Sequence, residues 1–315
     1  MSTLNKILMG VLGLSSVLLC VLLYVYLGPA LTEHQISVLE ILLIIAGASA
    51  LYCFIIDEIT KNNSQMDKLW SLLPETYCWI IAGLGGMSLR LIVMASLATL
   101  WGIRLTFNFA RKGAYRWKFW EGREDYRWSV LRQDKSFEPH WKWVLFDLLF
   151  ISVYQNLLVL LITFPALAAM ESTVSFNWID YLASGLFLFF LVYETIADEQ
   201  QWHFQEEKKA LLQEGKDLED LPLPYRRGFN TTGLWAYSRH PNYFAEQSIW
   251  VSFAVFSIAS GLFVINWSLI GALLLIVLFL GSSVFAEGIS QRKYPEYARY
   301  RKEVSKFFLW KKYRG

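Results

Sequence analysis

The feature that most constrains this chain is a series of apolar runs, each long enough to cross a bilayer. A hydrocarbon core about 30 Å thick takes about 20 residues of α-helix. Ile7–Leu27 meets that length without a charged residue. Further runs follow at Ile36–Ile56, Cys78–Ile103, Val144–Met170, Trp178–Ala197, Glu246–Ile265 and Trp267–Ala286, with Asn266 alone separating the last two. They predict an all-α, polytopic integral membrane bundle of about seven transmembrane helices. Residues 1–315 form one membrane domain, in which 1–66 are an N-terminal two-helix region and 67–315 a core with cytosolic loops and a tail. The first run exceeds the roughly 7 to 15 apolar residues of a signal peptide and is expected to be a retained helix. Only 18% of residues are charged, which excludes a disordered chain and argues against a soluble cytosolic enzyme. Cys20, Cys53 and Cys78 lie in or beside these runs, without disulfide or zinc spacing, and read as packing residues.

The formal net charge of +2 hides an uneven distribution. Of 29 Lys and Arg, 10 fall in Arg104–Lys142, 6 in Lys208–Arg239 and 9 in Arg292–Arg314. Positive-inside bias makes all three segments cytoplasmic. Seven spans satisfy this with the N-terminus outside and the C-terminus inside. The loops are too long for simple connectors, and the first carries Tyr115, Trp117, Trp120, Tyr126 and Trp128 among its cations. Such a set either stacks a planar ring and holds phosphates or forms an aromatic belt at the lipid headgroups.

Ionisable or amide side chains within the runs need a buried partner or an aqueous cavity. They are Glu40, Arg90, Asp147, Gln155, Asn156, Glu194, Asp198 and Glu246. Interhelical pairing accounts for Glu40, Arg90 and Asp147. Glu194 and Asp198 stand four apart on one helix face and either contact ribose hydroxyls or amides, or anchor arginines of a loop.

The most informative stretch is Gly233-Leu-Trp-Ala-Tyr-Ser-Arg-His-Pro-Asn-Tyr-Phe-Ala-Glu246. Pro241 suits the first turn of a helix. Arg239, Asn242, Tyr243 and Glu246 then share neighbouring surface at a helix N-terminus, where free N–H groups and the dipole favour an anion. The alternative is a capped turn with Tyr243 as an interfacial anchor. No histidine pair has iron-binding spacing and no metal site is expected. The nucleophile elbow and the phosphate-binding loop are absent from the sequence. Gly83-Leu-Gly-Gly86 lies inside an apolar run and reads as a close helix-packing site. Nothing points to nucleic acid.

That stretch, with Glu287 and Tyr294-Pro-Glu-Tyr-Ala-Arg-Tyr-Arg301, resembles the C-terminal region of the steroid 5-alpha-reductase family. Asp67-Lys-Leu-Trp70, Arg104-Leu-Thr-Phe-Asn108 with Arg111 and Gly113, and Glu124-Asp-Tyr-Arg-Trp128 extend the resemblance, which reaches from Asp67 to the end of the chain. It is to the bacterial members of that superfamily. Arg-His-Pro-x-Tyr is shared with sterol reductases and isoprenylcysteine methyltransferases. The resemblance implies a seven-helix bundle holding NADPH near the cytosolic side and reducing a conjugated double bond in a hydrophobic, steroid-like or isoprenoid-like lipid that enters from the membrane. On matched positions it makes Asn242, Glu246 and Asp198 cofactor-binding, with Glu194 where some members have Asn. Arg111, Tyr126, Arg127, Arg227, Arg239, His240, Tyr243 and Glu287 complete the expected cofactor set. Steroid-reducing members use Gln-Glu and a Tyr at the carbonyl, where this chain has Met66-Asp67 and the neighbourhood of Trp101. Asp67 is therefore the expected catalytic acid. The rival readings are a methyltransferase using S-adenosylmethionine, and a non-catalytic lipid-binding protein.

Overall fold

A computed structural model describes residues 29–314. The expected span Ile7–Leu27, with Cys20, lies outside the described residues. The described residues are helical, with no strands among them. They cluster into two compact units, one running to Gly185 and including Trp250–Leu275, the other comprising Leu186–Ile249 and the chain from Ile276 onward.

The first unit opens with α1 (Glu33–Thr60). Thr32 and Gln35 build its N-terminus as a capping box, each side chain accepting the other's backbone N–H at 3.1 Å. Short helices α2 (Gln65–Trp70) and α3 (Leu73–Leu84) follow, then α4 (Leu89–Arg111) and α5 (Tyr126–Arg132). Next comes α6 (Trp141–Ala169), π-helical over Asp147–Tyr154. The later helices are α7 (Trp178–Gln213), α8 (Pro241–Ala259), α9 (Trp267–Lys293) and α10 (Tyr297–Glu303). Five helices, α1, α4, α6, α7 and α9, are long and apolar enough to cross a membrane. Large apolar side chains on α1 stand exposed, Ile44 and Ile59 each at 72%. Such a surface is stable where hydrocarbon is the solvent. The predicted run Glu246–Ile265 corresponds to α8, which starts at Pro241 and stops at Ala259. It is long enough to span, but Asn242, Glu246, Gln247, Ser248, Ser252 and Ser257 keep it outside the apolar five.

The predicted single span Cys78–Ile103 is instead two helices, α3 and α4, folded against each other. The break is Gly85-Gly-Met-Ser88: Gly86 has φ +74° and Met87 +52°, and Ser88 caps α4 by accepting from Leu91 N–H at 3.5 Å. Gly83-Leu-Gly-Gly86 is thus the end of α3 and a reversal, where packing of a continuous helix was expected. Packing glycine is found at Gly102, where a Cβ would stand 2.5 Å from Glu75 Oε2 and 2.6 Å from Ser71 O. This α4 residue lets α3 approach.

The reversal decides which segments share an end of the unit. Asn62 Nδ2 donates to Gly122 O at 3.0 Å and Gln65 Nε2 to Trp120 O at 3.0 Å. The C-terminal end of α1 therefore meets the first basic loop, whereas seven alternating spans from Ile7 would set residues 57–77 across the membrane from it. At the other end, Gln35 Nε2 donates to Leu167 O at 2.9 Å. There Arg90 is buried in a bidentate pair with Asp180, at 2.7 and 2.9 Å. The remaining Arg90 donors go to Ser172 Oγ and to the carbonyls of Val174, Ser175 and Ala259. A buried charge with every donor satisfied is the pairing expected for Arg90.

In the second unit, Phe229, Tyr297, Tyr300, Val304 and Tyr313 form an aromatic-rich core. Tyr300 donates to Trp235 O at 2.5 Å, and Tyr313 N–H to Ala236 O at 2.7 Å. Arg239 and His240 donate their backbone N–H groups to Ser305 O and Lys306 O, each at 3.0 Å. The C-terminal segment is thereby laced to the strand-like approach to α8.

Candidate functional site

Nine of the thirteen residues expected at the site lie in the second unit. Asn242 occupies the second position of α8, its place fixed by Pro241, and donates from Nδ2 to Asp198 Oδ1 at 3.1 Å. This joins two positions 44 residues apart in sequence. Glu194 and Glu246 stand four residues from Asp198 and Asn242 on their respective helices, one turn away. Each is 5% exposed. Phe190 and Tyr193 pack against Phe244, which brings this stretch of α7 against the head of α8 beside the Asp198–Asn242 contact.

Arg239 does not present a free cation. Its Nε donates to Glu287 Oε1 at 2.8 Å, and its Nη1 to Arg301 O at 2.9 Å and to Val304 O. Glu287 also receives His240 Nε2 at 3.1 Å and pairs with Arg301 at 3.1 Å. A carboxylate can only accept, so the proton on His240 sits at Nε2. Burial pushes the His240 pKa down, and the hydrogen bond to Glu287 only partly opposes it. The ring stacks on Tyr243, centroids 5.1 Å apart. Arg227, expected to meet phosphate, donates to Glu296 at 3.3 Å and Thr231 at 3.2 Å and lies over the Tyr313 ring. These bonds account for Arg239, His240 and Glu287 as a closed ionic cluster beneath the head of α8. Alongside α7 opens a cavity of about 480 Å³ lined by Glu199, Gln200, His203, Phe204, Tyr225 and Thr232. Gln200 was not among the expected residues. It accepts Leu234 N–H at 2.8 Å, beside Gly233 at φ +56°. An amide reaching from a helix into a loop thus fixes the turn before α8, and only the unusual glycine hints at it in the sequence.

The other four expected residues belong to the first unit. Asp67 Oδ2 accepts Trp128 Nε1–H at 2.9 Å. Burial raises the Asp67 pKa, and the negative charge of Asp125 raises it further, against Arg127 and the indole. Asp125 is itself held by Arg127 at 2.8 and 3.1 Å. Burial would raise its pKa, but the guanidinium overcomes that and leaves it low. Arg111 reaches back to Asn108 Oδ1, at 2.8 and 2.6 Å, and Tyr126 is exposed. Trp101, near the expected carbonyl position, is fully buried edge-on against Trp250 and acts as core. Lys68, which sequence reasoning passed over, is fully buried. Its ammonium donates to Gln65 Oε1 at 3.2 Å, Phe119 O at 2.7 Å and Glu121 O at 2.8 Å. Burial lowers its pKa, while Asp57 and Asp67 oppose that. Among the described residues no group of three or more His, Cys, Asp or Glu is placed to hold a metal.

The model of a family described as a protein of unknown function, DUF1295, matches residues 53–304. The chain belongs to the DUF1295 family. It is 40% identical over 262 residues to Uncharacterized protein C594.04c of Schizosaccharomyces pombe, covering 79% of this chain and 73% of that relative. No solved structure matches it. The family match takes in Asp67, the Glu194/Asp198 pair, Asn242, Glu246 and Glu287 together, and begins after most of α1.

Proposed function

We propose that this DUF1295 protein is a membrane-embedded, NADPH-dependent reductase of a carbon–carbon double bond conjugated to a carbonyl in a lipid-soluble substrate, similar to the steroid 5-alpha-reductases. The observation that carries the reading is the hydrogen bond from Asn242 to Asp198. It joins two positions matched independently to nucleotide-binding residues of that family.

The residues present fit part of a dinucleotide. An amide and a carboxylate in contact, with Glu194 and Glu246 one turn away, offer donors and acceptors suited to a ribose diol or a carboxamide. The phosphate role expected of Arg239 does not fit a guanidinium already enclosed by Glu287 and two carbonyls. In this reading Arg239, His240 and Glu287 position the head of α8, and Asn242 and Asp198 orient the nucleotide. NADPH, when bound, would supply hydride. Asp67, its pKa raised by burial and by Asp125, suits the delivery of a proton to the substrate's oxygen side. Lipid-exposed apolar helices suit a substrate arriving from the membrane. The enclosed Arg239 favours one rival, a cofactor without an adenine phosphate such as S-adenosylmethionine.

Thermal stabilisation of the detergent-purified protein by NADPH, NADH and S-adenosylmethionine separates the readings. The reductase reading expects a rise in melting temperature with NADPH that is absent in Asn242→Ala and Asp198→Ala. A rise with the methyl donor alone would overturn it.

A further inference from the structure

Asp57 on α1 is 1% exposed and Asp147 on α6 is fully buried. Their carboxyl groups lie beside each other, with the Gln65 backbone N–H near Asp57 and the Asn63 side chain near Asp147, none of these in hydrogen-bonding geometry. None of their four oxygens has a hydrogen-bond partner, and neither do Ser152 Oγ and Asn156 Oδ1, whose side chains are buried on the same helix as Asp147.

The π-helical segment explains why these groups align. Bonds from i to i+5 bring residues five apart onto one face, which stacks Ser152 on Asp147, and the α-helical turn that follows stacks Asn156 on Ser152. Asn156 Nδ2 donates to Ser152 O at 2.7 Å and stands 3.9 Å from Cys53 Sγ. Cys53 lies one turn before Asp57, so these are the faces on which α1 and α6 meet. An α-helical register at Asp147–Tyr154 would turn Ser152 away from that seam.

The neighbouring cations are already engaged. All three ammonium protons of Lys68 have acceptors elsewhere, as described above. Arg132 donates to Asn63 Oδ1 and Glu124 Oε1, each at 2.5 Å. With both acids ionised, five of the six orphan oxygens can only accept. One proton shared between the carboxylates would serve two of them, and the Ser152 hydroxyl a third. A metal ion serves several acceptors at once and cancels the charge. Two carboxylates, a hydroxyl and an amide oxygen are the ligand types of hard cations, not of zinc or copper.

We propose that the seam of α1 and α6 at Asp57, Asp147 and Ser152 is a binding site for a hard metal cation of the sodium, magnesium or calcium type, held by oxygen alone. Bound there, the ion ties the π-helical segment to α1. The site is independent of the reductase reading, because its residues are not those assigned to the nucleotide or to proton delivery.

The test is thermal unfolding of the full chain in detergent, with N-methylglucamine chloride exchanged at constant ionic strength for sodium chloride, magnesium chloride or calcium chloride. At a concentration about 100 times its Kd, the bound ion should raise the melting temperature by about 5 °C. The ion that acts identifies the cation. Asp57→Asn and Asp147→Asn should each abolish the rise, and Ser152→Ala, which keeps both acids, should weaken binding about tenfold. Equal melting temperatures in all four salts would overturn the proposal. So would a salt-dependent rise that survives in both Asp→Asn variants. If those variants fail to fold, metal content after equilibrium dialysis of the wild type decides the matter: about one ion per chain supports the site, and none refutes it.

Discussion

Glu287 in the second unit and the Asp57–Asp147 pair in the first are buried to the same degree, none more than 1% exposed. Glu287 collects Arg239, His240 and Arg301, and Arg239 in turn is held by backbone carbonyls of the C-terminal segment. The aspartates hold no donor in hydrogen-bonding geometry, although the Gln65 N–H and the Asn63 side chain lie near them. A buried carboxylate surrounded by cations is structural: its charge is cancelled within the fold, and nothing further is needed. A buried pair side by side without hydrogen-bonded donors leaves charge to be cancelled from outside the chain. The same contrast separates Arg90, with every donor placed, from Asp147, although both are single ionisable residues within apolar runs.

The largest effect that sharpens this comparison is expected from Glu287→Ala. It strands Arg239 among carbonyls and His240 beside it, and should cost about 3 to 5 kcal/mol of stability, seen as a large fall in melting temperature. A loss under about 1 kcal/mol would mean that solvent, not Glu287, holds the cluster. Asp147→Asn in sodium-, magnesium- and calcium-free buffer should do the opposite. Removing one of two unpaired buried charges should leave stability unchanged or raise it by about 1 kcal/mol, and a loss would erase the distinction between the two clusters. Between these extremes lies the Asp198–Asn242 contact, where Asn242→Ala should lower NADPH affinity about tenfold in a binding titration while shifting the melting temperature little. A stability loss equal to that of Glu287→Ala would assign the contact to architecture.

The smallest effect concerns pH. Burial sets the folded His240 pKa below the unfolded value near 6.5. As pH falls through that value the unfolded chain binds a proton the folded chain resists, so the His240 contribution is lost toward acid and is flat above it. Urea unfolding at pH 5.5 and 7.5 should show a smaller difference for His240→Gln than for the wild type. An equal difference would place the acid sensitivity elsewhere.

The all-helical membrane architecture was legible because 20-residue apolar runs have few alternatives. The α3–α4 reversal was not, since a turn of Gly85, Gly86 and Met87 is as apolar as the helices it joins, and hydropathy does not register a change of direction. Only the adjacent glycines carried the signal, and they read equally well as packing. Asn242 and Asp198 were each legible as cofactor candidates because they match positions of the family the chain resembles, but their contact was not. The full engagement of Arg239 was not legible either, because two of its three acceptors are backbone carbonyls, which any residues 301 and 304 would provide. Asp57 escaped notice because it falls one residue beyond a predicted span, and the alignment of Asp147 with Ser152 requires a helical period that no simple pattern assumes.

The lacing of Arg239 and His240 to Arg301, Val304, Ser305 and Lys306 carries a consequence for the order in which this protein matures. The guanidinium at the head of α8 is synthesised some 60 residues before the carbonyls that satisfy it. Until residues 301–306 leave the ribosome, Arg239 has only Glu287 among its acceptors and the turn before α8 lacks its backbone acceptors. The second unit cannot be completed helix by helix as it emerges. The hydrogen bonds that close it are contributed by residues 301–313, the last part of the unit to be synthesised.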